Sequence, residues 1–321
     1  MNSLSLASTE VKGLKRYRSS GVELTTMGVG GPVNEVCEVD SIVSLQMLIR
    51  EFVEQGTKFR VLGAGSNVVI PDAGIRQPII RLARSFSGLF DVHSFADLPL
   101  RTPEPAWFSL DADRTHVFSL AGGSLMRVSR ELSNRGLSGL EFAAGIPATI
   151  GGAVAMNAGA HGSEIGDVLV AVALVTPDGA CVVLPAKSLE LSYRSCELPR
   201  GSVIVGALFS LAKREPSACV EERKRCLGYR KETQPLTLPS AGSVFTNPDS
   251  ERGVFAGALL ERVGLKGKEY GGIAYSELHA NWLVKVADSA SAEAVATLVR
   301  LGREQVKIEC GEELHAEIQL W

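Results

Sequence analysis

Glycine constrains this chain more than any other feature of it. Eight glycines (Gly136, Gly139, Gly145, Gly151, Gly152, Gly159, Gly162 and Gly166) fall within 31 residues. Each one forfeits core volume and loses more backbone freedom on folding than any other residue type. The runs Gly145-Ile146-Pro147-Ala148-Thr149-Ile150-Gly151-Gly152-Ala153 and Met156-Asn157-Ala158-Gly159-Ala160-His161-Gly162 put small residues at nearly every position. A large planar ligand lying against backbone explains that choice; a Gly-rich crossover in a tight core is the alternative.

A second glycine system follows the strand pattern Phe59–Leu62: Gly63-Ala64-Gly65-Ser66-Asn67. It fails as a dinucleotide fingerprint, because Val68 stands at the third glycine and no long helix opens there. It suits a tight loop whose backbone N–H groups, with Ser66 and Asn67, form an anion nest. Taken alone, a plain structural turn explains it as well.

Composition narrows the function classes. At about 150 residues per domain the chain holds roughly two domains, or three small ones. Apolar residues make up 45%, and the net charge is −3, which excludes disorder as the dominant state. No basic run exceeds three residues, which argues against a nucleic-acid partner. Phe142 to Ser163 is uncharged and long enough to cross a bilayer. Pro147, five glycines, Asn157 and His161 within it make a loop system the better reading, so no membrane association is expected. The residues up to Arg18 show no signal-peptide core. Six cysteines (Cys37, Cys181, Cys196, Cys219, Cys226, Cys310) are scattered without metal-ligand spacing and read as reduced thiols of a cytoplasmic protein.

Periodicity and caps give the coarse layout. Strands are expected at Val36–Val39, Phe59–Leu62, Val68–Ile70 and Ile79–Leu82, with a helix from Asp40 or Ser41 to Gln55 stopped by Gly56. Residues 85–116 read as strands joined by a variable surface loop. Val117–Ala121 precedes a helix near Ser124–Arg135, stopped by Gly136. Val168–Thr176 and Ala180–Leu184 flank Pro177-Asp178-Gly179, a hairpin signal. After the strand Val203–Leu211, Lys213-Arg214-Glu215-Pro216 marks a domain boundary, and a charged helix follows to about Lys231. Beyond it the pattern alternates short strands and turns, then gives a helix from Ser291 to Glu309 and a final strand, Leu314–Leu320. The divisions expected are 1–83, 84–215, 216–306 and a C-terminal segment 307–321.

Metal and hydrolase chemistries find little support. The five histidines are isolated from one another, and His315-Ala316-Glu317 lacks the P-C-x-x-C of zinc deaminases. Ser66 and Ser243 lack a nucleophile elbow, and Gly264–Lys268 is no P-loop. Three sites place reactive side chains in unusual settings: Tyr193-Arg194-Ser195, the segment Pro239–Pro248 with Ser243 after a glycine, and Glu317 between Ala316 and Ile318.

Taken in order, Thr25–Pro32, Leu62–Ile70 with Asp72 and Gly74, Gly145–Gly166, Tyr193-Arg194, Gln234-Pro235, Ser240–Pro248, Ala256–Glu261 with Gly264–Gly267, Ser276–Asn281 and Glu317 resemble one family. It is that of the UDP-N-acetylenolpyruvoylglucosamine reductases, MurB. The resemblance runs from about residue 20 to the end. It implies an α+β fold: a vanillyl-alcohol-oxidase/PCMH-type FAD domain of two α/β subdomains, plus a smaller α+β substrate-binding domain. It implies non-covalent FAD, with NADPH as co-substrate and UDP-N-acetylglucosamine-enolpyruvate as the small-molecule substrate.

By resemblance, Gly63, Ala64, Gly65, Ser66 and Asn67 cradle the FAD pyrophosphate. Gly145, Ile146, Pro147, Thr149, Gly151, Gly152, Asn157 and Gly159 line the flavin. Arg194 and Glu317 flank the enolpyruvyl group and Ser243 protonates it, while Tyr193, Arg230, Gln234 and Asn247 contact substrate. The protonation state of Glu317 stays open. Ala64, Ala148, His161 and Leu278 depart from common family residues at positions that bear on affinity. Only about 35 residues separate Tyr193-Arg194 from Tyr229-Arg230, too few for the tyrosine-bearing insertion of the family's longer type. Another flavoenzyme on the same fold explains the loops but not Arg194, Ser243 and Glu317 together, and a non-catalytic sensor needs no proton donor.

Overall fold

The computed structural model describes residues 13–249 and 251–321; the N-terminal residues read above for a signal peptide lie partly outside this range. The first unit holds β1 (Leu14–Ser20), α1 (Gly21–Leu24), β2 (Pro32–Val39), α2 (Ile42–Glu54), β3 (Arg60–Val61), β4 (Val68–Val69) and β5 (Ile79–Leu82). Its sheet runs β1-β2-β5-β3, with β2, β5 and β3 parallel and β1 antiparallel on the edge. The expected helix is α2. Ser41 and Ser44 cap it reciprocally at 3.2 Å, and Gly56 follows its end with φ +63°. The strand expected at Phe59–Leu62 shrinks to two residues. Strand β1 was not anticipated, because Lys15, Arg16 and Arg18 on an exposed edge hide its apolar signal.

The middle unit adds β6 (Leu89–Val92), β7 (Thr115–Leu120), α3 (Leu125–Asn134), β8 (Leu137–Ser138), α4 (Ile150–Ala155), β9 (Gly159–Ala160), β10 (Ser163–Glu164), β11 (Leu169–Val175), β12 (Cys181–Pro185), β13 (Glu190–Ser192), β14 (Ser195–Glu197) and β15 (Val203–Lys213). The main sheet runs β12-β11-β15-β7-β6, all antiparallel. Both faces are covered. Ala171, Ala173 and Val175 of β11 pack with α2, and Leu169, Val172 and Leu174 pack with α3 and α4. Hence β11 is an unbroken apolar run rather than an alternating one. Residues 85–116 supply β6, the first two residues of β7 and short 3₁₀ turns in place of several full strands. Helix α4 lies inside the glycine-rich stretch, where helix propensity is poor. It forms because Thr149 accepts from the Gly152 N–H and because Ile150, Ala153 and Val154 are buried.

The remaining elements are α5 (Pro216–Thr233), β16 (Ser240–Ser243), α6 (Ala256–Arg262), β17 (Glu269–Tyr270), β18 (Ile273–Tyr275), β19 (Trp282–Lys285), α7 (Ala292–Cys310) and β20 (Gln319–Leu320). Helix α5 begins on Pro216 and lies against α3 and the 141–145 turn, that is, on the middle unit. The third sheet runs β16-β19-β18-β17, and α6 and α7 share its core. Helix α6 is an addition to the strands and turns expected here. Two boundaries shift. The division at 306/307 falls inside α7, which continues to Gly311, a left-handed glycine with φ +75°. The final strand reduces to a bridge at Ala316 and β20, which pairs in parallel with β4 of the first unit.

The third unit is bound to the first by polar contacts as well as β20. Asp72 accepts from the Ala292 and Glu293 N–H groups, both at 2.9 Å, at the start of α7. Thr26 donates to the Ser240 carbonyl at 2.6 Å, and Met27, Val29 and Val69 join the third unit's core. These ties hold the β16 end of the third sheet over the loop between β3 and β4.

Candidate active site

A cleft of about 1230 Å³ opens where the three units meet. Drug-sized pockets span roughly 300–1000 Å³, so this one has room for more than a single small ligand. Of the expected cofactor residues, Gly63, Ala64, Gly65, Ser66, Asn67, Gly145, Ile146, Pro147, Thr149, Gly152 and Gly159 line it. So do Tyr193, Arg194, Arg230, Gln234, Ser243, Asn247 and Glu317. Two expected residues do not. Gly151 backs onto Ala121, whose carbonyl accepts its N–H at 2.8 Å. Asn157 is fully buried behind the wall.

The two glycine systems face each other. A Cβ on Gly63 would stand 2.6 Å from Thr149 Oγ1. Gly65, at φ +69°, would push a Cβ to 2.1 Å from the Leu24 carbonyl, so only glycine fits. Within the second system the glycines divide by what they admit. Gly145 makes room for Arg230, whose Cδ and Nε lie 2.6 Å from where its Cβ would be. Gly159 makes room for the Ser163 carbonyl, at 2.7 Å, and for Arg194. Gly152 is different. Its Cβ would meet only Thr149 Oγ1, at 3.3 Å, and otherwise open cleft. A bare backbone facing open space, beside a loop whose N–H groups find no partner among the described residues, is what a flat cofactor with a pyrophosphate needs; the residues present fit FAD.

Three charged or hydroxylic side chains converge at the other end. Strands β13 and β14 form a hairpin whose two-residue turn is Tyr193-Arg194. Arg194 adopts φ +60°, a conformation rare outside glycine. Its Nε donates to Glu317 Oε1 at 2.8 Å and its Nη2 to the Gly159 carbonyl at 2.8 Å. Glu317 arrives on the returning segment, where its N–H donates to the Val244 carbonyl at 2.8 Å. That puts it alongside Ser243, the last residue of β16, which pairs with Trp282. Burial raises the Glu317 carboxyl above its ordinary range, and Arg194 opposes the shift.

Arg230 is a buried cation, and among the described residues no carboxylate pairs with it. Burial first, and Arg194 second, lower its pKa to about 10. Its Nε and the Gln234 Oε1 are closed off from solvent and find no partner among the described residues, while both side chains line the cleft. Asn247 Oδ1 accepts from the Ala256 N–H at 3.1 Å at the start of α6, which turns its amide nitrogen toward the Tyr193 hydroxyl at 3.5 Å. Asn67 also works for the protein: its Nδ2 donates to the Glu317 carbonyl at 3.0 Å. Trp282, overlooked in the sequence, lines the cleft, and its buried indole N–H has no partner among the described residues. Its strand pairing with Ser243 is the signal that marks it, and that pairing is not local.

Residues 234–321 match the family described as UDP-N-acetylenolpyruvoylglucosamine reductase, C-terminal domain, and residues 33–185 match an FAD binding domain. The chain is 38% identical to the UDP-N-acetylenolpyruvoylglucosamine reductase of Anaeromyxobacter dehalogenans over 296 residues, 92% of this chain and 82% of that protein. It belongs to the MurB family. The Bacillus pumilus enzyme of the same name is 34% identical over 298 residues, 92% of this chain and 90% of its own. The crystal structure of MurB from Thermus caldophilus superposes with a TM-score of 0.77 at 32% identity, covering 96% of this chain and 99% of that one. The α+β fold and the FAD-binding domain expected from the sequence are those of this family. Among the described residues no group of His, Cys, Asp and Glu is arranged to hold a metal ion, and no described helix is long and apolar enough to cross a membrane.

Proposed function

We propose that this MurB family member reduces UDP-N-acetylglucosamine-enolpyruvate to UDP-N-acetylmuramate with NADPH, the reaction its relatives are named for, in peptidoglycan precursor synthesis. The observation that carries this is the meeting of Arg194, Glu317 and Ser243 in the cleft that the two glycine systems line. FAD, which Gly63–Asn67 and the Gly145–Gly159 wall would hold, would supply the two-electron chemistry that links NADPH to the enol ether. Six free cysteines suit a reducing compartment, and we place the reaction in the cytoplasm.

The chain's own residues do the rest. An alkene of this kind reacts only as negative charge spreads onto the adjacent carboxylate. Arg194 meets that charge with a fixed cationic fork, in a cleft where water competes poorly. Glu317 accepts from Arg194 Nε and so orients the guanidinium. Ser243 gives its proton to the carbon beside the carboxylate. Arg230, Gln234 and the Asn247 amide hold the UDP diphosphate, with Tyr193 at the rim.

The purified protein is expected to be yellow, with about one FAD per chain released by heat or acid. NADPH should bleach it without oxygen, and the UDP substrate should restore the colour. A colourless protein that cannot be reconstituted, or equal reactivity of enolpyruvyl compounds lacking UDP, would sink the reading.

Gly152→Leu tests the flavin wall separately. The side chain would enter open cleft rather than protein, so folding should survive while FAD is lost. Absorbance and a thermal melt on the same sample decide it, and retained FAD would move the flavin elsewhere.

A further inference from the structure

We propose that Asn157 is the positioning residue of Arg194, acting through the β13–β14 turn and not through the cofactor; this rests on the role given to Arg194 above. Three observations meet here. Asn157 is fully buried and absent from the cleft wall. Its carboxamide uses its hydrogen-bonding groups on protein: Nδ2 donates to Glu164 Oε1 at 2.8 Å and to the Ser192 carbonyl at 3.0 Å, and Oδ1 accepts from the Gly166 N–H at 2.9 Å. The Ser192 carbonyl belongs to the strand that ends in the Tyr193-Arg194 turn.

The hairpin needs such an anchor. Two strands of three residues are marginal alone, and the turn holds Arg194 at a strained left-handed φ. Its guanidinium is tied to the Gly159 carbonyl and its strand to Asn157. Both anchors therefore lie within three residues of one another on the segment leaving α4. That segment is itself braced, since the Glu164 N–H donates to Asp167 Oδ2 at 2.8 Å. Asn157 thus fixes where the Arg194 fork points. Aspartate cannot substitute, although it has the same shape. An oxygen in place of Nδ2 faces a carboxylate and a carbonyl, and donates to neither.

Asn157→Asp is expected to keep one FAD per chain, with an unchanged visible spectrum and NADPH bleaching within about threefold of the parent. Turnover of the UDP substrate should fall about 100-fold, in kcat more than in KM, approaching but not exceeding the loss in Arg194→Ala. Loss of FAD from a folded protein would make Asn157 a cofactor ligand and overturn the proposal, as would parental turnover. Asn157→Ala, which removes the donor without setting a second charge beside Glu164, should also lower turnover, though less, and serves if the aspartate fails to fold. Unfolding of both would show a general fold residue and also overturn it. Arg194→Ala, run alongside, separates the two ideas. Full turnover in that variant defeats the reading of Arg194, whereas its loss beside a fully active Asn157→Asp defeats only the positioning role.

Discussion

Replacing Ser243 with alanine is expected to leave bleaching of the flavin by NADPH nearly intact and to slow consumption of the enolpyruvyl substrate by ~10²–10⁴-fold, the usual cost of losing one general acid. The structure explains why the effect should be confined to one half of the reaction. Ser243 ends β16 opposite Trp282, and the bend of that strand comes from Gly242 at φ +79° and a register shift between Ser240 and Ser243. None of this uses the hydroxyl, so alanine keeps the strand. The only group removed from the cleft is small and uncharged, so substrate affinity should change little. Ser240 is the control. It lines the same cleft, but its contact with Thr26 runs through its backbone carbonyl, and Ser240→Ala should cost far less. Rapid-mixing absorbance measurements of the two half-reactions decide the matter. Equal loss in both, or full turnover, would show that the proton comes from elsewhere.

Arg230→Met should weaken substrate binding sharply while leaving the ligand-free protein as stable as before, or more so. A buried cation without an opposite charge bears a desolvation cost that nothing in the free protein offsets. Here the nearest strong influence is another cation, Arg194, and the guanidinium pKa is pushed down accordingly. Methionine fills the space beside Gly145 without that charge. The bound diphosphate, however, would lose its buried partner. Truncating one side of such a pair costs about 2–5 kcal/mol, or roughly 30- to 5000-fold in KM. Thermal melts without ligand and steady-state KM values test the two halves together. An unchanged KM would remove the diphosphate from this part of the cleft, and a large fall in melting temperature would mean that Arg230 is structural after all.

Much of the fold was legible because its signals are local. Ser41, the apolar stripe of α2 and Gly56 lie within a few turns of one another, and so do Pro177-Asp178-Gly179 and the two strands they join. Misses occurred where tertiary burial overrode propensity. IGGAVA is a poor helix on its own, and α4 exists because Thr149 caps it and the middle sheet buries Ile150, Ala153 and Val154. The two-residue strand β20 has no pattern to read; it exists because β4 lies beside it.

The site divides in the same way. Local pattern marked two glycine systems as candidate ligand walls and supplied the motifs that named the family and nominated Arg194, Ser243 and Glu317. It did not determine what each glycine is for. Gly145 and Gly159 give way to the chain's own arginines, whereas Gly152 faces open cleft beside the cap of α4. Nor could it show that Arg194 bonds directly to Glu317 across 123 positions, or turn Asn157 away from the cofactor toward Ser192. Periodicity reports which face of an element is buried, because that depends on residues three or four apart. Which side chain meets which across a cleft depends on where separate sheets are docked, and no pattern of near neighbours encodes that.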